Sequence, residues 1–279
     1  MNARKAKHGK LLTAFFSVLC LVYVSPIVMV FINSFKKKAY ISNKPFALPT
    51  EKSFAGLENY ITGLAKTDFI KSFGNSLFIT VFSVLIILLC TSMCAWYISR
   101  VINRFTKGIY FLFIFSMIVP FQMVMFTLSK LADMLRLGNP LGIIFVYLGF
   151  GAGLAVFMFA GFVKAIPIEI EEAAMIDGCS PINTFFRVVL PILKPTCVTV
   201  AILQTMWIWN DYLMPYLILD IKKYKTIPIA IQYLRGGYGS IDMGAMMAML
   251  VFAVIPVIIF YLICQKFIIE GVVAGAVKG

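Results

Sequence analysis

The sequence predicts an all-α integral membrane protein with six transmembrane helices. Hydrophobic residues make up 61% of its 279 positions and charged residues only 13%. That charged share is about half the soluble norm, too little polar surface to wrap a soluble core. Six apolar stretches, 11–32, 74–98, 108–129, 141–161, 196–219 and 245–267, each reach the roughly 20 helical residues that cross about 30 Å of hydrocarbon. Charge, proline or glycine bounds every one of them.

Residues 1–10 form a basic tail with Arg4, Lys5, Lys7 and Lys10. A basic start followed by an apolar run is also how a secretion signal begins. The run is too long for one, and VSPIVMVFINSFKKK offers no small-x-small cleavage site, so a retained first span is expected. Residues 33–73 make a long Lys-rich outer loop, either simply solvated or a face for another protein. RVINRFTK joins the second span to the third. Pro120 in the third span and Pro256 in the sixth are expected to kink their helices. Loop 162–195 follows the fourth span, 220–244 the fifth, and 268–279 is the C-terminal tail. Lys and Arg are nearly even on the two sides, but the basic N-terminal tail and the short RVINRFTK loop favour a cytoplasmic N-terminus by the positive-inside rule, and six spans then put both termini there.

The net charge of +13 sits in short Lys and Arg runs between apolar segments, where it meets lipid headgroups; no basic helix suggests nucleic acid. The six cysteines lack companion His or acidic residues, and the one histidine, His8, lies in the basic tail. A metal centre, a disulfide framework and histidine-dependent catalysis are therefore not expected.

The most informative stretch is the one least suited to the bilayer. IEIEEAAMIDGCSP, residues 168–181, holds Glu169, Glu171, Glu172 and Asp177. Pro167 suits a helix start, and carboxylates in the first turn meet the positive helix end favourably. Ile166, Ile170 and Ala174 fall at i, i+4 and i+8, one apolar stripe. Gly178 is placed to stop the helix in the left-handed conformation. Ser180 and Pro181 read as cap and first residue of a second helix, running to about Leu190 before Pro191. Helix, glycine turn, helix is the expected form, and these residues alone leave a solvated loop and a docking element equally open.

Among polar groups inside the spans, Asp211 stands out, because an ionisable residue in a membrane is a functional hypothesis by default. Gln204 lies seven residues earlier on about the same helix face, in a stripe with Trp207, Ile208 and Pro215, and Asn210 is adjacent. Gln122, just after Pro120, is a weaker candidate. Aromatic faces beside hydrogen-bonding groups suit a sugar pathway; a structural contact with a neighbouring helix is the plainer reading.

GFVKAIPIEIEEAAMIDGCSPINTFFRVVLPILKP resembles the EAA loop of ABC importer permeases: Glu172-Ala173-Ala174, then Gly178, then Val188, Leu190 and Pro191. Trp209-Asn210-Asp211-Tyr212-Leu213 resembles the WND(F/Y)L element of the carbohydrate-uptake subfamily, and FINSFKKK, GNSLFITV and the ending GAVKG are similar to MalG-like members. The likeness covers nearly the whole chain. It implies a type I importer permease fold, with 74–267 as the transmembrane core, in the cell membrane. The implied partners are a second permease, two ATPase subunits that bind ATP and Mg, and an extracellular sugar-binding protein. The implied ATPase contacts are Glu172, Ala173, Ala174, Asp177, Gly178 and Pro191 in the loop, and Gly275, Ala276, Val277, Lys278 and Gly279 in the tail. The chain has no G-x-x-x-x-G-K-[ST] phosphate loop of its own.

A transporter working without ATP would show internal repeats and paired coupling acids; neither is evident. A membrane enzyme would want clustered His, Asp or Cys. A glycerol-3-phosphate importer of the same architecture would bring Arg or Lys into the middle of the spans, and none is there.

Overall fold

The computed structural model describes residues 9–234 and 241–276, with side chains as far as residue 267. The described residues form helices joined by turns and loops, with no strand beyond one isolated bridge between Lys36 and Phe54. Helices α1 (Gly9–Ser34), α2 (Lys38–Asn43), α3 (Glu58–Thr67), α4 (Phe69–Arg100), α5 (Arg104–Ile118), α6 (Phe121–Met134) and α7 (Pro140–Val163) come first. Then follow α8 (Ile168–Ile176), α9 (Pro181–Ile192), α10 (Lys194–Asn210), α11 (Leu213–Ile218), α12 (Ile227–Gln232) and α13 (Met243–Ala276). Among the described residues four helices, α1, α4, α7 and α13, are long and apolar enough to cross a membrane alone, and the number rises to six if each of two bent helix pairs counts as one span.

The third apolar stretch departs from expectation. Pro120 does not kink one helix; it separates α5 from α6, which meet at 106°. Proline lacks the N–H that would continue the ladder and drives the preceding residue out of helical geometry, and Val119 is extended at φ −71° and ψ 115°. Pro256 behaves differently, lying inside the 34-residue helix α13. The fifth stretch also breaks, at Asp211 and Tyr212, between α10 and α11.

The chain divides into two compact units. The first holds the residues up to Phe69 together with Ala230–Pro256. In it residues 33–69 form a folded knot rather than a simple solvated loop. Lys36 is 1% exposed, and its Nζ donates to the carbonyls of Lys44 (3.1 Å) and Pro45 (3.2 Å). Burial lowers its pKa from the ordinary lysine value. Asn59 Nδ2 donates to the carbonyls of Ser34 and Lys36 at 2.7 and 2.9 Å, and Ser34 Oγ meets Tyr60 Oη at 2.7 Å. Backbone bonds from Lys37 N–H to the Ser53 carbonyl and from Ala55 N–H to the Phe35 carbonyl close the knot. Helix α3 and the first residue of α4 pack on the start of α13: Tyr60 and Phe69 stack edgewise or tilted on Phe252, and Lys66 pairs with Asp242, just before α13, at 2.6 Å.

The second unit runs from Ile70 to Ile229 and resumes at Val257. Its core gathers Ile87 and Ala95 of α4, Tyr147, Ala155 and Phe159 of α7, and Phe185, Val189 and Leu193 of the loop after α8. Helix α7 is the most enclosed, with 61% of its apolar window buried. Gly153 permits this: a Cβ there would come within 2.8 Å of Ser116 Oγ and of the Phe113 carbonyl on α5. Small residues at such crossings let membrane helices approach closely. By contrast, none of the apolar window of α1 is buried, as suits a helix whose flanks meet lipid or another chain.

Candidate functional site

Helix α8 and helix α9 form the expected helix–turn–helix, and the geometry of each terminus follows from its residues. Pro167 is the residue before the first turn, at φ −57° and ψ 133°, one place earlier than a first-turn proline. At the other end Gly178 adopts φ +87°. Cys179 N–H donates to the Ala174 carbonyl and Gly178 N–H to the Met175 carbonyl, both at 3.0 Å. These are the two bonds of a Schellman stop, and glycine takes the left-handed position without a Cβ penalty. Ser180 Oγ then accepts from Asn183 N–H and Pro181 opens α9.

The second helix does not end before Pro191. Residues Phe185–Val189 widen into a π turn, in which Leu190 N–H reaches back to the Phe185 carbonyl, and α9 continues to Ile192. A wider turn relieves the clash between the proline ring and the carbonyl four residues earlier. Leu193 is fully buried at the joint where α9 and α10 meet at 75°.

The buried face of α8 differs from the apolar stripe. Ile166 and Ala174 are buried, but Ile170 is 43% exposed and Glu171, at 1%, holds the inner position. Glu171 Oε1 accepts from Arg100 Nη2 (2.7 Å) and Nε (3.0 Å), while Oε2 accepts from Trp96 Nε1 (2.8 Å). Arg100 Nη2 also donates to the Ile166 carbonyl at 2.9 Å. A buried carboxylate is tolerable only when paired and fully hydrogen-bonded. The Trp96 ring meets Phe185 on α9 at 5.5 Å. The end of α4 thus grips both arms of the loop. Sequence reading missed Glu171, Arg100 and Trp96 as a unit; a lone Arg four residues after a Trp at a span end was the available signal.

The outward face carries the remaining candidates. Glu172, Ala173, Asp177, Gly178 and Pro191 are exposed, whereas Ala174 is buried against the fold. Met175, Ile176 and Ile182 expose large apolar side chains, Ile176 at 86%. Of the tail residues, Gly275 and Ala276 lie in the last turn of α13, and Val277, Lys278 and Gly279 lie outside the described residues.

Asp211 is not a mid-helix acid. It sits at the break between α10 and α11 with extended backbone, ψ 122°. Its Oδ1 accepts from Leu213 N–H (2.9 Å) and Met214 N–H (3.3 Å), and its Oδ2 accepts from Tyr147 Oη (3.1 Å). The carboxylate therefore caps α11 and ties it to α7. Gln204 is buried and donates through Nε2 to the Gly151 carbonyl at 3.2 Å. Trp207 stacks edgewise on Tyr147 at 5.4 Å. Asn210 is exposed and bonds the Met206 carbonyl, and Gln122 is exposed on α6. The structure thus joins Asp211, Trp207 and Tyr147, and brings neither Asn210 nor Gln122 to them by any hydrogen bond described.

Near the start of α7, an open cleft of about 840 Å³ is lined by Ser129, Lys130, Asp133, Arg136, Asp220 and Lys223, among others.

Residues 87–273 match the family described as the binding-protein-dependent transport system inner membrane component. The chain belongs to this family. Members with curated descriptions align with this permease over most of its length. One is the "probable starch degradation products transport system permease protein" AmyC of Thermoanaerobacterium thermosulfurigenes, 40% identical over 276 residues and 99% of each chain. The multiple sugar-binding transport system permease protein MsmG of Streptococcus mutans is 36% identical over 91% of each. The fold of the permease is also that of a chain in the crystal structure of a bacterial ABC transporter involved in import of the acidic polysaccharide alginate. There the TM-score is 0.78 at 22% identity, covering 95% of this chain and 98% of that one. The permease is a multi-pass inner-membrane protein.

Proposed function

We propose that this permease is the membrane-spanning subunit of an ATP-driven importer that carries a sugar, an oligosaccharide by class, into the cell by alternating access. The observation that carries the mechanism is the Glu171–Arg100–Trp96 anchor. It fixes one face of α8 to the end of α4 and leaves Glu172, Ala173 and Ile176 facing outward for an ATPase partner. The sugar assignment is supported by relatives whose descriptions name starch degradation products and multiple sugars.

In this reading two ATPase subunits bind ATP and Mg, and their closure displaces α8. Motion passes through the Arg100 pair into α4 and through Phe185 and the 75° joint into α10. At the far end of α10 the Asp211–Tyr147 bond links the movement to α7. Packed elements transmit such shifts because a dense interior does not deform continuously. Both termini face the cytoplasm, residues 275–279 reach the ATPase dimer, and a second permease completes the pathway. A sugar-binding protein docks outside, where the Lys130–Asp133–Lys223 cleft offers a polar face.

The test is to purify the chain with its co-expressed neighbours, reconstitute the complex and measure ATP hydrolysis over a panel of saccharides with the binding protein present. One saccharide class is expected to raise hydrolysis several-fold and to accumulate in the vesicles. Stimulation by a different solute class alone would remove the sugar assignment, and failure to co-purify an ATPase would remove the docking.

A further inference from the structure

A second site lies beside the docking loop, among the ends of α4, α5 and α7. A cavity of about 180 Å³ is lined by Ser99, Ile102, Lys107, Tyr110, Ala160 and Lys164, among others. Its depth in the membrane follows from the helices that form it. The spanning helices Phe69–Arg100 and Pro140–Val163 end at Ser99 and Lys164 to within a residue, so the cavity lies at headgroup level rather than in hydrocarbon or open water.

The chemistry of the lining is that of an anion receptor with an apolar wall. Lys107 and Lys164 bring two ammonium groups, and Lys164 Nζ stands 5.2 Å from the centre of the Tyr110 ring. Among the described residues no carboxylate pairs with either lysine. Ser99 is only 8% exposed, and its Oγ has no hydrogen-bond partner. A buried hydroxyl without a partner is costly, and an anionic oxygen entering the cavity would accept from it. Thr106 is not a second free hydroxyl, since its Oγ1 is engaged with the Val101 carbonyl at 2.6 Å. The rest of the wall is Ile98, Ile102 and Ala160, with Ile102 73% exposed at the mouth. Two cations, a hydroxyl donor and an apolar exit fit a phosphodiester whose tail leaves into the bilayer. A soluble phosphate would have no use for the apolar wall.

We propose that this cavity binds the headgroup phosphate of an anionic phospholipid from the leaflet that borders the docking loop. Basic pockets between membrane helices are suited to such headgroups. Ser99 precedes Arg100 and Lys164 precedes Ile166 by two residues, so the lipid sits against the two strands of chain that the Arg100 side chain ties together. A bound lipid then stiffens the root of α8. The proposal does not depend on which solute the permease carries.

Native mass spectrometry of the purified full-length chain, incubated with equal amounts of phosphatidylglycerol and phosphatidylcholine, tests it. The unaltered chain is expected to retain phosphatidylglycerol several-fold over phosphatidylcholine. Lys107→Ala with Lys164→Ala is expected to abolish that preference. Ser99→Ala is expected to weaken retention a few-fold. A control pair of exposed lysines elsewhere, Lys52→Ala with Lys222→Ala, should keep the preference. Thermal unfolding checks that each variant is folded, and Lys107→Gln with Lys164→Gln replaces the alanine pair if it is not. Unchanged preference in the folded double variant overturns the proposal. So does displacement of the lipid by millimolar glycerol phosphate, which would assign the site to a soluble anion.

Discussion

Glu171 of α8 and Arg100 of α4 form a buried ion pair, with both Arg100 donors on one carboxylate oxygen at 2.7 and 3.0 Å and Trp96 on the other. The carboxylate is 1% exposed as a residue, so nothing but these partners compensates its charge. Breaking such a pair from one side costs about 3–5 kcal/mol, because the other charge stays buried. Arg100→Ala is expected to destabilise the protein in that range and to uncouple ATP hydrolysis from transport. Arg100→Met with Glu171→Leu should recover much of the stability and little of the coupling. Thermal unfolding in detergent together with transport assays separates the two effects.

Gly178 can be tested without steric confusion. No atom lies within 4 Å of where its Cβ would stand, yet its φ is +87°. Gly178→Ala is therefore expected to cost about 1–2 kcal/mol through backbone strain alone, leaving insertion intact and lowering transport. Gly178→Asp adds charge to the same turn and is expected to abolish transport. Full sugar-stimulated hydrolysis in that variant would count against the docking reading.

Asp211 has separable cap and charge. Asparagine preserves an acceptor for the Leu213 and Met214 N–H groups and caps as well as aspartate. Asp211→Asn is expected to keep stability and reduce uptake, whereas Asp211→Ala is expected to lose about 1 kcal/mol as well. Normal uptake by Asp211→Asn would leave the residue a purely structural cap. Tyr147→Phe removes the other bond and should resemble Asp211→Asn in uptake.

The knot between α1 and α4 has its own probe. A Cβ on Gly244 would collide with the Asn59 amide, which cannot move without releasing the Ser34 and Lys36 carbonyls. Gly244→Ala is expected to cost about 1–3 kcal/mol by overpacking. Gly63→Ala, whose Cβ would meet the unbranched side chain of Met249 rather than a hydrogen-bonded amide, is expected to cost less. Proteolysis of the segment between α1 and α4 would rank the two.

The parts that could be read in the sequence were those written in neighbouring residues. Gly178, Ser180 and Pro181 specify their turn and cap within four positions, and the long apolar runs specify membrane helices. What was not legible depends on distant partners. Glu171 looks like one of several acids serving a helix N-terminus until Arg100, 71 residues away, is seen beside it. Ile170 fits an apolar stripe by spacing, but the ion pair turns α8 so that Glu171 faces inward. Residues 33–73 read as a Lys-rich loop, either solvated or a face for another protein; the burial of Lys36 needs carbonyls from Lys44 and Pro45 that no pattern announces. Pro120 signals a disturbance, but the residues around it do not say whether a kink or a 106° break between two helices results.

If the exposed face of α8 meets the ATPase, photo-cross-linking from that face will capture it. A benzophenone side chain placed at Ile176, 86% exposed beside Glu172, is compared with one at Phe115, 53% exposed on the apolar helix α5. In the co-purified complex, Ile176 is expected to give an adduct with the ATPase subunit that weakens when Glu172→Lys is added, and Phe115 is expected to give none. An intact complex that yields no ATPase adduct from Ile176, or yields the same adduct from both positions, would contradict the account.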